Sequence, residues 1–152
     1  MDAPKVPFLL ARHALSFGVQ RWISIDLSMP GVAIVGPSGT GKSVASASLA
    51  GTISLFYPDA KLYIVDGKGD PAFRFLASKP GARYFPHRSA LDGLRQVNEI
   101  LNARMAGAAP EPFIYLWLDE LMGLLLLYDK KTQEEIRGIV TAISVEGRAM
   151  GV

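Results

Sequence analysis

One stretch of the sequence limits the possible folds more than any other. Residues 32 to 43 read VAIVGPSGTGKS, an apolar run followed by a loop with three glycines, a lysine and a serine. Glycines allow positive φ angles and let backbone N–H groups come close to an anion. The pattern G-x-x-x-x-G-K-[ST], on Gly36, Gly41, Lys42 and Ser43, predicts a phosphate-binding loop between a buried strand and a helix. The alternative is a plain glycine turn that joins the same two elements.

The residue types predict a role for each part of this loop. The N-terminus of the following helix offers free N–H groups and the positive end of the helix dipole. Lys42 is expected to reach the β- and γ-phosphates of a nucleotide, and Ser43 is expected to ligate Mg²⁺. The predicted nucleotide-binding residues are Gly36, Pro37, Ser38, Gly39, Thr40, Gly41, Lys42, Ser43 and Val44, with Lys68 from a later loop.

Composition narrows the class of protein. The chain has 152 residues, enough for one domain, and its 49% hydrophobic and 20% charged content is typical of a globular protein. The absence of cysteine excludes disulfides and thiolate metal sites and favours a reducing, cytoplasmic setting. A net charge of +2 is compatible with nucleic-acid binding but too small to argue for it.

The chain alternates short strands with helices, which predicts an α/β fold with a mainly parallel sheet. Residues 1 to 14 are interpreted as an N-terminal arm and residues 15 to 152 as one domain. Strands are predicted at 15–20 and 22–27, as a hairpin, and at 32–35, 62–65, 83–85 and 113–118. Helices are predicted at 43–57, from Pro71, from Ser89 (with a Ser89–Asp92 capping box) to 105, at 121–128 and from 132 or 133 to 146.

Acidic residues follow two of the predicted strands. Ligands of parallel sheets bind at the carboxyl ends of the strands. Gly36, Asp66 and Asp119 all stand at such ends, so three segments are expected to meet at one site. A hydrophobic strand that ends in Asp-Glu predicts that Asp119 supports Mg²⁺ and that Glu120 orients or deprotonates a water molecule. The acid pair favours a hydrolase over a kinase.

The roles of several basic residues stay open. Lys68, in the loop 66–70, could contact phosphate or sense its loss, or the loop could be a solvated turn. Arg104, Arg137 and Arg148 are ordinarily surface charges, but any of them could reach a neighbouring subunit's phosphate as an arginine finger, with Arg148 favoured. Side chains interpreted as structural or as packing residues are His13, His87, Trp22 and Trp117.

Four segments together resemble the FtsK/SpoIIIE motor ATPases. They are GPSGTGKSV at 36–44, VDGKGD at 65–70, WLDEL at 117–121 and GRAMGV at 147–152. The resemblance covers residues 15 to 152 and implies a RecA-like P-loop NTPase fold, three-layer α/β/α with an N-terminal hairpin. The family has proline at the position of Gly67. It also continues into a further core strand, so the resemblance implies a domain that is incomplete at its C-terminus.

The resemblance also implies an activity. It implies an ATPase that translocates double-stranded DNA, in chromosome partition or conjugative DNA transfer. The enzyme would use ATP and Mg²⁺, with Lys42, Glu120 and Arg148 in catalysis and Ser43 and Asp119 at the metal. The expected partners are double-stranded DNA, further copies in a hexameric ring, and membrane-anchored or secretion partners reached through other regions, in or facing the cytoplasm. Two alternatives are an ATPase that drives protein export, as in type VII secretion, and a module that binds ATP for assembly without hydrolysing it.

Overall fold

Three parallel strands form the sheet at the centre of the computed structural model, which describes residues 5–12, 20–26 and 31–152. The protein is a mixed α/β structure, as the sequence predicts. The strands are β1 (Lys5–Arg12), β2 (Gln20–Asp26), β3 (Lys61–Asp66), β4 (Ala82–Pro86) and β5 (Ile114–Asp119). The helices are α1 (Lys42–Phe56), α2 (Ala90–Met105), α3 (Leu121–Leu126) and α4 (Lys130–Glu146), with 3-10 helices at Pro71–Ser78, His87–Ser89 and Gly147–Met150.

The central strand of this sheet is β3, which pairs with β4 on one side and β5 on the other. Asp66 lies opposite both Pro86 and Asp119, so the three strands end at the same level. All of β3 after Lys61 is buried, because it has neighbours on both sides and helices on both faces. That position explains its continuous apolar sequence.

Helices cover both faces of the sheet. Ile64 and Val65 are adjacent in β3, and successive side chains of a strand point to opposite faces. Ile64 packs with Phe73 in the cluster formed by α1 and the 3-10 helix Pro71–Ser78. Val65 packs with Leu94 and Ile136, in the cluster formed by α2, α3 and α4. Each fully buried side chain of this size contributes about 1.5–3 kcal/mol through removal from water.

A hairpin precedes the phosphate loop, but its first strand differs from the predicted one. β1 pairs antiparallel with β2, and Lys5 lies opposite Asp26. β1 therefore occupies residues that the sequence assigns to an arm. Proline at position 7 does not prevent this pairing, because an edge strand tolerates a missing N–H donor. The predicted strand 15–20 lies outside the described residues except for Gln20, which begins β2.

The segment ahead of the phosphate loop is not a strand. Residues 31–37 have no regular secondary structure, so the predicted strand over 32–35 is wrong. A strand needs a neighbour for its N–H and C=O groups. Within the described residues β5 pairs with β3 alone, and its other side is open. Val32 and Val35 are accordingly 50% and 87% exposed.

Some helix ends also differ from the sequence prediction. The helix that begins at Pro71 is a 3-10 helix. The Ser89–Asp92 capping box is wrong, because the Ser89 hydroxyl donates to the Pro86 carbonyl at 3.0 Å. The last long helix begins two or three residues earlier than predicted, because Asp129 caps it by accepting from the Thr132 N–H at 2.8 Å. In the part of the chain that is described, no helix combines the length and apolarity needed to cross a membrane.

Candidate functional site

The loop that leads into α1 has a backbone suited to anion binding. Gly39 and Gly41 have φ angles of 78° and 83°, which residues with a side chain rarely adopt. Gly41 is the N-cap of α1, a helix of 15 residues, and no side chain of the described residues caps it. The first N–H groups of any helix lack an intrahelical partner, and in α1 no side-chain cap from the described residues replaces it. The positive end of the helix dipole favours an anion as that partner.

Two polar side chains fold back over this loop. The Lys42 ammonium and the Thr40 hydroxyl each donate to the Pro37 carbonyl, both at 2.8 Å. Because the partner of Lys42 is a neutral carbonyl, its charge is not neutralised by a carboxylate at this point. The side chain can therefore turn towards a phosphate without breaking an ion pair.

The carboxylate of Asp66, at the end of β3, is fully buried and accepts three hydrogen bonds. Asp66 is 0% exposed. It accepts from the N–H groups of Lys68 and Gly69 at 3.0 and 2.7 Å, and from the Tyr84 hydroxyl at 2.8 Å. Burial and then the hydrogen bond to Asp66 raise the pKa of Tyr84 to about 12, so Tyr84 remains a donor at neutral pH. Asp66 thereby holds the loop 66–70 in place.

At the end of β5, Asp119 has more acidic than basic neighbours. Burial raises the pKa of Asp119, and the negative charges of Asp66, Asp70 and Glu120 raise it further. The positive charge of Lys68 opposes this shift. These side chains therefore lie within electrostatic reach of one another, as the sequence predicts for Asp66 and Asp119. A bound cation would relieve the cost of ionising Asp119.

Glu120 has a backbone conformation that is unusual for its residue type. Its φ and ψ are 56° and 54°, in the left-handed region, and it occupies the N-cap of α3. Such a conformation costs a residue with a side chain about 1–2 kcal/mol. The turn leaves the Glu120 side chain exposed, directly after Asp119 at the end of β5.

Glycine at position 67, where the FtsK/SpoIIIE sequences that this chain resembles have proline, has a steric explanation. The Gly67 N–H donates to the Asp119 carbonyl at 3.0 Å, and proline lacks this donor. A Cβ atom at Gly67 would lie 2.8 Å from the Glu120 carbonyl oxygen and 2.9 Å from the Leu124 Cβ. The loop 66–70 is therefore packed directly against the start of α3, which only glycine permits.

Asp70 connects this loop to the start of α1. Its carboxylate accepts from the Ala72 N–H at 2.9 Å and caps the 3-10 helix that begins at Pro71. The Ala72 N–H lowers the pKa of Asp70, and the hydroxyl of Ser43 and the charge of Lys68 lower it further. Ser43, in the first turn of α1, is thus brought beside the loop 66–70.

Two of these residues were missed in the sequence. An aspartate directly before proline is a helix-start signal, and it could have identified Asp70 as an N-cap. No local signal identifies Tyr84 as the partner of Asp66, because the two residues are 18 positions apart. Their contact depends on the pairing of β4 with β3.

The three candidate arginines do not reach this site within their own chain. Arg104 is 7% exposed and donates to three backbone carbonyls, so its interpretation as a surface charge or arginine finger is wrong. Arg137 and Arg148 are exposed. Arg148 lies beside the start of β5, where the Ile114 N–H donates to Gly151. Ile114 and Asp119 are at opposite ends of β5, about 17 Å apart at ~3.3 Å per residue.

The remaining residues singled out in the sequence lie away from the site. Trp117 packs in the clusters formed with α1, consistent with a packing role. His87 is exposed. His13 and the side chain of Trp22 are outside the described residues.

The residues at this edge fit Mg²⁺ bound together with a polyphosphate. Across residues 31–152, no group of three or more histidine, aspartate or glutamate side chains is arranged to hold a metal by itself. Mg²⁺ bound with a nucleotide takes one or two protein ligands and completes its shell with phosphate oxygens and water. Ser43 and Asp119 could supply such ligands, the neighbouring carboxylates would favour a cation, and the uncapped end of α1 would favour the phosphate.

Comparisons with protein families, with characterised proteins and with solved structures gave no match for this chain. The resemblance to FtsK/SpoIIIE ATPases therefore rests on the four sequence segments.

Proposed function

We propose that this chain is an ATP-binding and ATP-hydrolysing domain with a RecA-like core. The observation that carries the proposal is the meeting of three segments at the carboxyl edge of the sheet. They are the uncapped start of α1 with Ser43, the end of β5 with Asp119 and Glu120, and the loop 66–70. An anion site, a metal ligand and an exposed carboxylate side by side are the groups that hydrolysis of a nucleoside triphosphate requires. No Asn-Lys-x-Asp guanine motif occurs in the sequence, so ATP is the proposed nucleotide.

Each group has a defined task in this reaction. The N–H groups of the loop and the Lys42 ammonium bind the β- and γ-phosphates. Ser43 and Asp119 hold Mg²⁺, which neutralises phosphate charge when bound. Glu120 takes a proton from a water molecule as the water oxygen bonds to the γ-phosphorus. The bond from that phosphorus to the bridging oxygen breaks, and ADP and phosphate are the products.

The proposed cargo is double-stranded DNA, moved through a hexameric ring of such domains. This part of the proposal rests on the resemblance of the four segments to FtsK/SpoIIIE motors. The exposed Arg148, at the opposite end of the sheet from Asp119, is the proposed arginine finger for a neighbouring subunit. A cytoplasmic setting and partners that anchor the ring or carry secretion substrates belong to the same proposal.

ATP hydrolysis by the full-length protein, measured with and without double-stranded DNA, tests this function. Glu120→Gln is expected to lower turnover by about 100-fold or more, because the proton acceptor is lost. Its affinity for ATP, measured by calorimetry, should stay within about threefold, since Glu120 does not bind the phosphates. Lys42→Ala should instead lose ATP affinity. Glu134→Gln and Lys131→Ala, both at exposed positions, are matched controls that should change neither quantity.

The outcomes separate the alternatives. Strong stimulation by DNA would support a DNA translocase. Hydrolysis that is indifferent to DNA would put protein export first. Wild-type turnover no higher than that of Lys42→Ala would contradict the ATPase and favour a module that uses ATP for assembly. Loss of ATP binding in Glu120→Gln would contradict the role given to Glu120.

A further inference from the structure

The turn 147–152, which follows α4, is held by hydrogen bonds at both of its ends. At its start, the Gly147 carbonyl accepts from the Val152 N–H at 2.8 Å, which closes the turn on itself. At its end, the Gly151 carbonyl accepts from the Ile114 N–H at 2.8 Å, which ties the turn to the first residue of β5. The backbone between these two bonds is therefore fixed.

Both glycines of this turn lie too close to their neighbours for a side chain. A Cβ atom at Gly147 would lie 2.9 Å from the Val152 backbone oxygen, and one at Gly151 would lie 2.6 Å from the Pro110 carbonyl oxygen. Gly151 also has a φ of 72°, which residues with a side chain rarely adopt. The turn is therefore closed tightly and packed directly against the loop that precedes β5.

Arg104 is the side chain that joins this turn to α2. Its Nη1 donates to the carbonyls of Met150 and Gly151 at 2.9 and 2.8 Å, and its Nη2 donates to the carbonyl of Pro112. The guanidinium group is planar and holds its donors in a rigid fork. Because Arg104 is only 7% exposed, little water competes for these bonds. Its three bonds therefore set the position of the turn relative to α2 and to the loop before β5.

Arg148 lies within the turn, between its two fixed ends. Its side chain is exposed, and within the described residues it forms no ion pair. Arg95, in contrast, is an exposed arginine whose charge is paired with Glu135. The turn therefore combines a fixed backbone with a cation that is available to a group outside its own chain.

We propose that Arg104 is a positioning residue for Arg148, which acts on the nucleotide of a neighbouring copy of this chain. An arginine finger stabilises charge on the transferred phosphoryl group and raises turnover by about 10³–10⁵-fold. That gain depends on geometry, since a displacement of about 1 Å can cost about 100-fold. Arg104 bonds Met150, two residues after Arg148, and so fixes the Arg148 backbone. This inference rests on the proposed function, because it requires ATP hydrolysis at an interface between copies.

Two kinds of subunit of the full-length protein make a test possible. Glu120→Gln subunits cannot hydrolyse ATP but still present Arg148, and they are the donors. Arg148→Ala subunits retain Glu120 but present no arginine finger, and they are the acceptors. In mixed rings with donors in excess, ATP is hydrolysed only where the nucleotide of an acceptor meets Arg148 of a donor. Arg104→Lys can then be added to either kind of subunit.

Arg104→Lys in the donor is expected to lower turnover per acceptor by about tenfold, with the KM for ATP unchanged. Lysine keeps the positive charge but lacks the fork that reaches several carbonyls at once. The same substitution in the acceptor should change turnover by less than about twofold, because the acceptor presents no arginine finger to be displaced.

Leu94→Ala is the matched control for a loss of stability alone. Leu94 is fully buried in the same helix as Arg104 and packs in the cluster with Val65 and Leu124. Loss of this packing should have the same effect in donor and acceptor. Gly151→Ala is a second test variant, because its Cβ would displace the turn from the Pro110 carbonyl. It should reproduce the donor defect, and it serves if Arg104→Lys does not fold.

Four results would overturn the inference. An equal loss from Arg104→Lys in donor and acceptor would reduce Arg104 to a structural role. No loss in the donor would show that Arg148 is placed correctly without it. If donors and acceptors hydrolyse no more ATP together than apart, Arg148 is not the finger, and the inference fails while the ATPase activity of the wild type stands. If the wild type hydrolyses no ATP, the proposed function fails as well.

Discussion

Two charged side chains, Arg104 near the amino end of the parallel sheet and Asp119 at its carboxyl end, differ in their hydrogen-bond partners. At the amino end, Arg104 donates to the carbonyls of Met150 and Gly151 at 2.9 and 2.8 Å, and to that of Pro112. At the carboxyl end, Asp119 is partly buried, and no hydrogen bond to its carboxylate is formed by the described residues. Its charged neighbours are mainly other carboxylates.

This difference distinguishes a structural charge from one held ready for a ligand. A buried charge is tolerated when hydrogen bonds replace the water it has lost. Arg104 meets that condition with atoms of its own chain, and so does Asp66. The Asp119 carboxylate accepts no such hydrogen bonds from the described residues. Its raised pKa reflects the free-energy cost of ionising it in this partly buried position. Burial disfavours the charged form of both groups, since it also lowers the pKa of Arg104, so the contrast lies in their hydrogen-bond partners.

Removal of Arg104 should have the largest effect on folding. Arg104→Ala removes a hydrogen-bond donor from three carbonyls, of which that of Gly151 keeps the Ile114 N–H, and it empties the space beneath the C-terminal segment. We expect the free energy of unfolding to fall by about 3 kcal/mol, measured by urea denaturation. Arg88→Ala, at an exposed position, should change it by less than about 0.5 kcal/mol. A loss below about 1 kcal/mol in Arg104→Ala would mean that the amino end is not held by this side chain.

Asp119→Asn should raise the free energy of unfolding of the ligand-free protein, by less than Arg104→Ala lowers it. Because the pKa of Asp119 is raised on folding, the folded state binds more protons than the unfolded state between the two pKa values. Stability therefore falls as pH rises through that window, and the ionised carboxylate is a cost at pH 7. Asparagine removes this cost and should stabilise the protein by up to about 1 kcal/mol, limited by solvent screening of a partly exposed group.

The pH dependence of unfolding checks this second prediction. The gain in Asp119→Asn should disappear at pH values below the ordinary pKa of aspartate, where both states of the wild type are protonated. Asp66→Asn is the contrasting variant, since it disrupts a carboxylate with three donors and should destabilise the protein. If Asp119→Asn destabilised the protein at pH 7, the prediction that the ionised Asp119 carboxylate lowers its stability would be wrong.

The smallest effect is expected for an ion pair that lies at neither end of the sheet. Arg95 of α2 and Glu135 of α4 form two hydrogen bonds at 2.7 and 2.9 Å, with side chains 47% and 39% exposed. Exposed pairs are worth about 0.2–1 kcal/mol, and salt screens them. A double-mutant cycle with Arg95→Ala and Glu135→Ala should give about 0.5 kcal/mol at low salt and nearly zero in 1 M salt. A coupling energy above about 2 kcal/mol would contradict the prediction, because this exposed pair would then stabilise the protein nearly as much as the buried Arg104.

Local sequence signals predicted much of the framework and part of the candidate site. Apolar runs identified β3 and β5, and a 3.6-residue period identified α2 and α4, because burial on one or both faces leaves a pattern within a single element. The carboxyl edge was predicted in the same way, from strands followed by Asp66 and Asp119. The strand at 32–35 could not be excluded, since its apolar run looks the same with or without a pairing partner.

The sequence by itself determined the loop from Gly36 to Ser43, the alternation of strands and helices, and the acids that follow β3 and β5. Only the tertiary structure decided that Arg104 is buried and that Tyr84 donates a hydrogen bond to Asp66. The first group depends on residues close together in the chain, whose periods and turn types are local. The second includes contacts between residues as far as 18 and 47 positions apart, and such contacts arise only from the way strands pair and helices pack on the sheet.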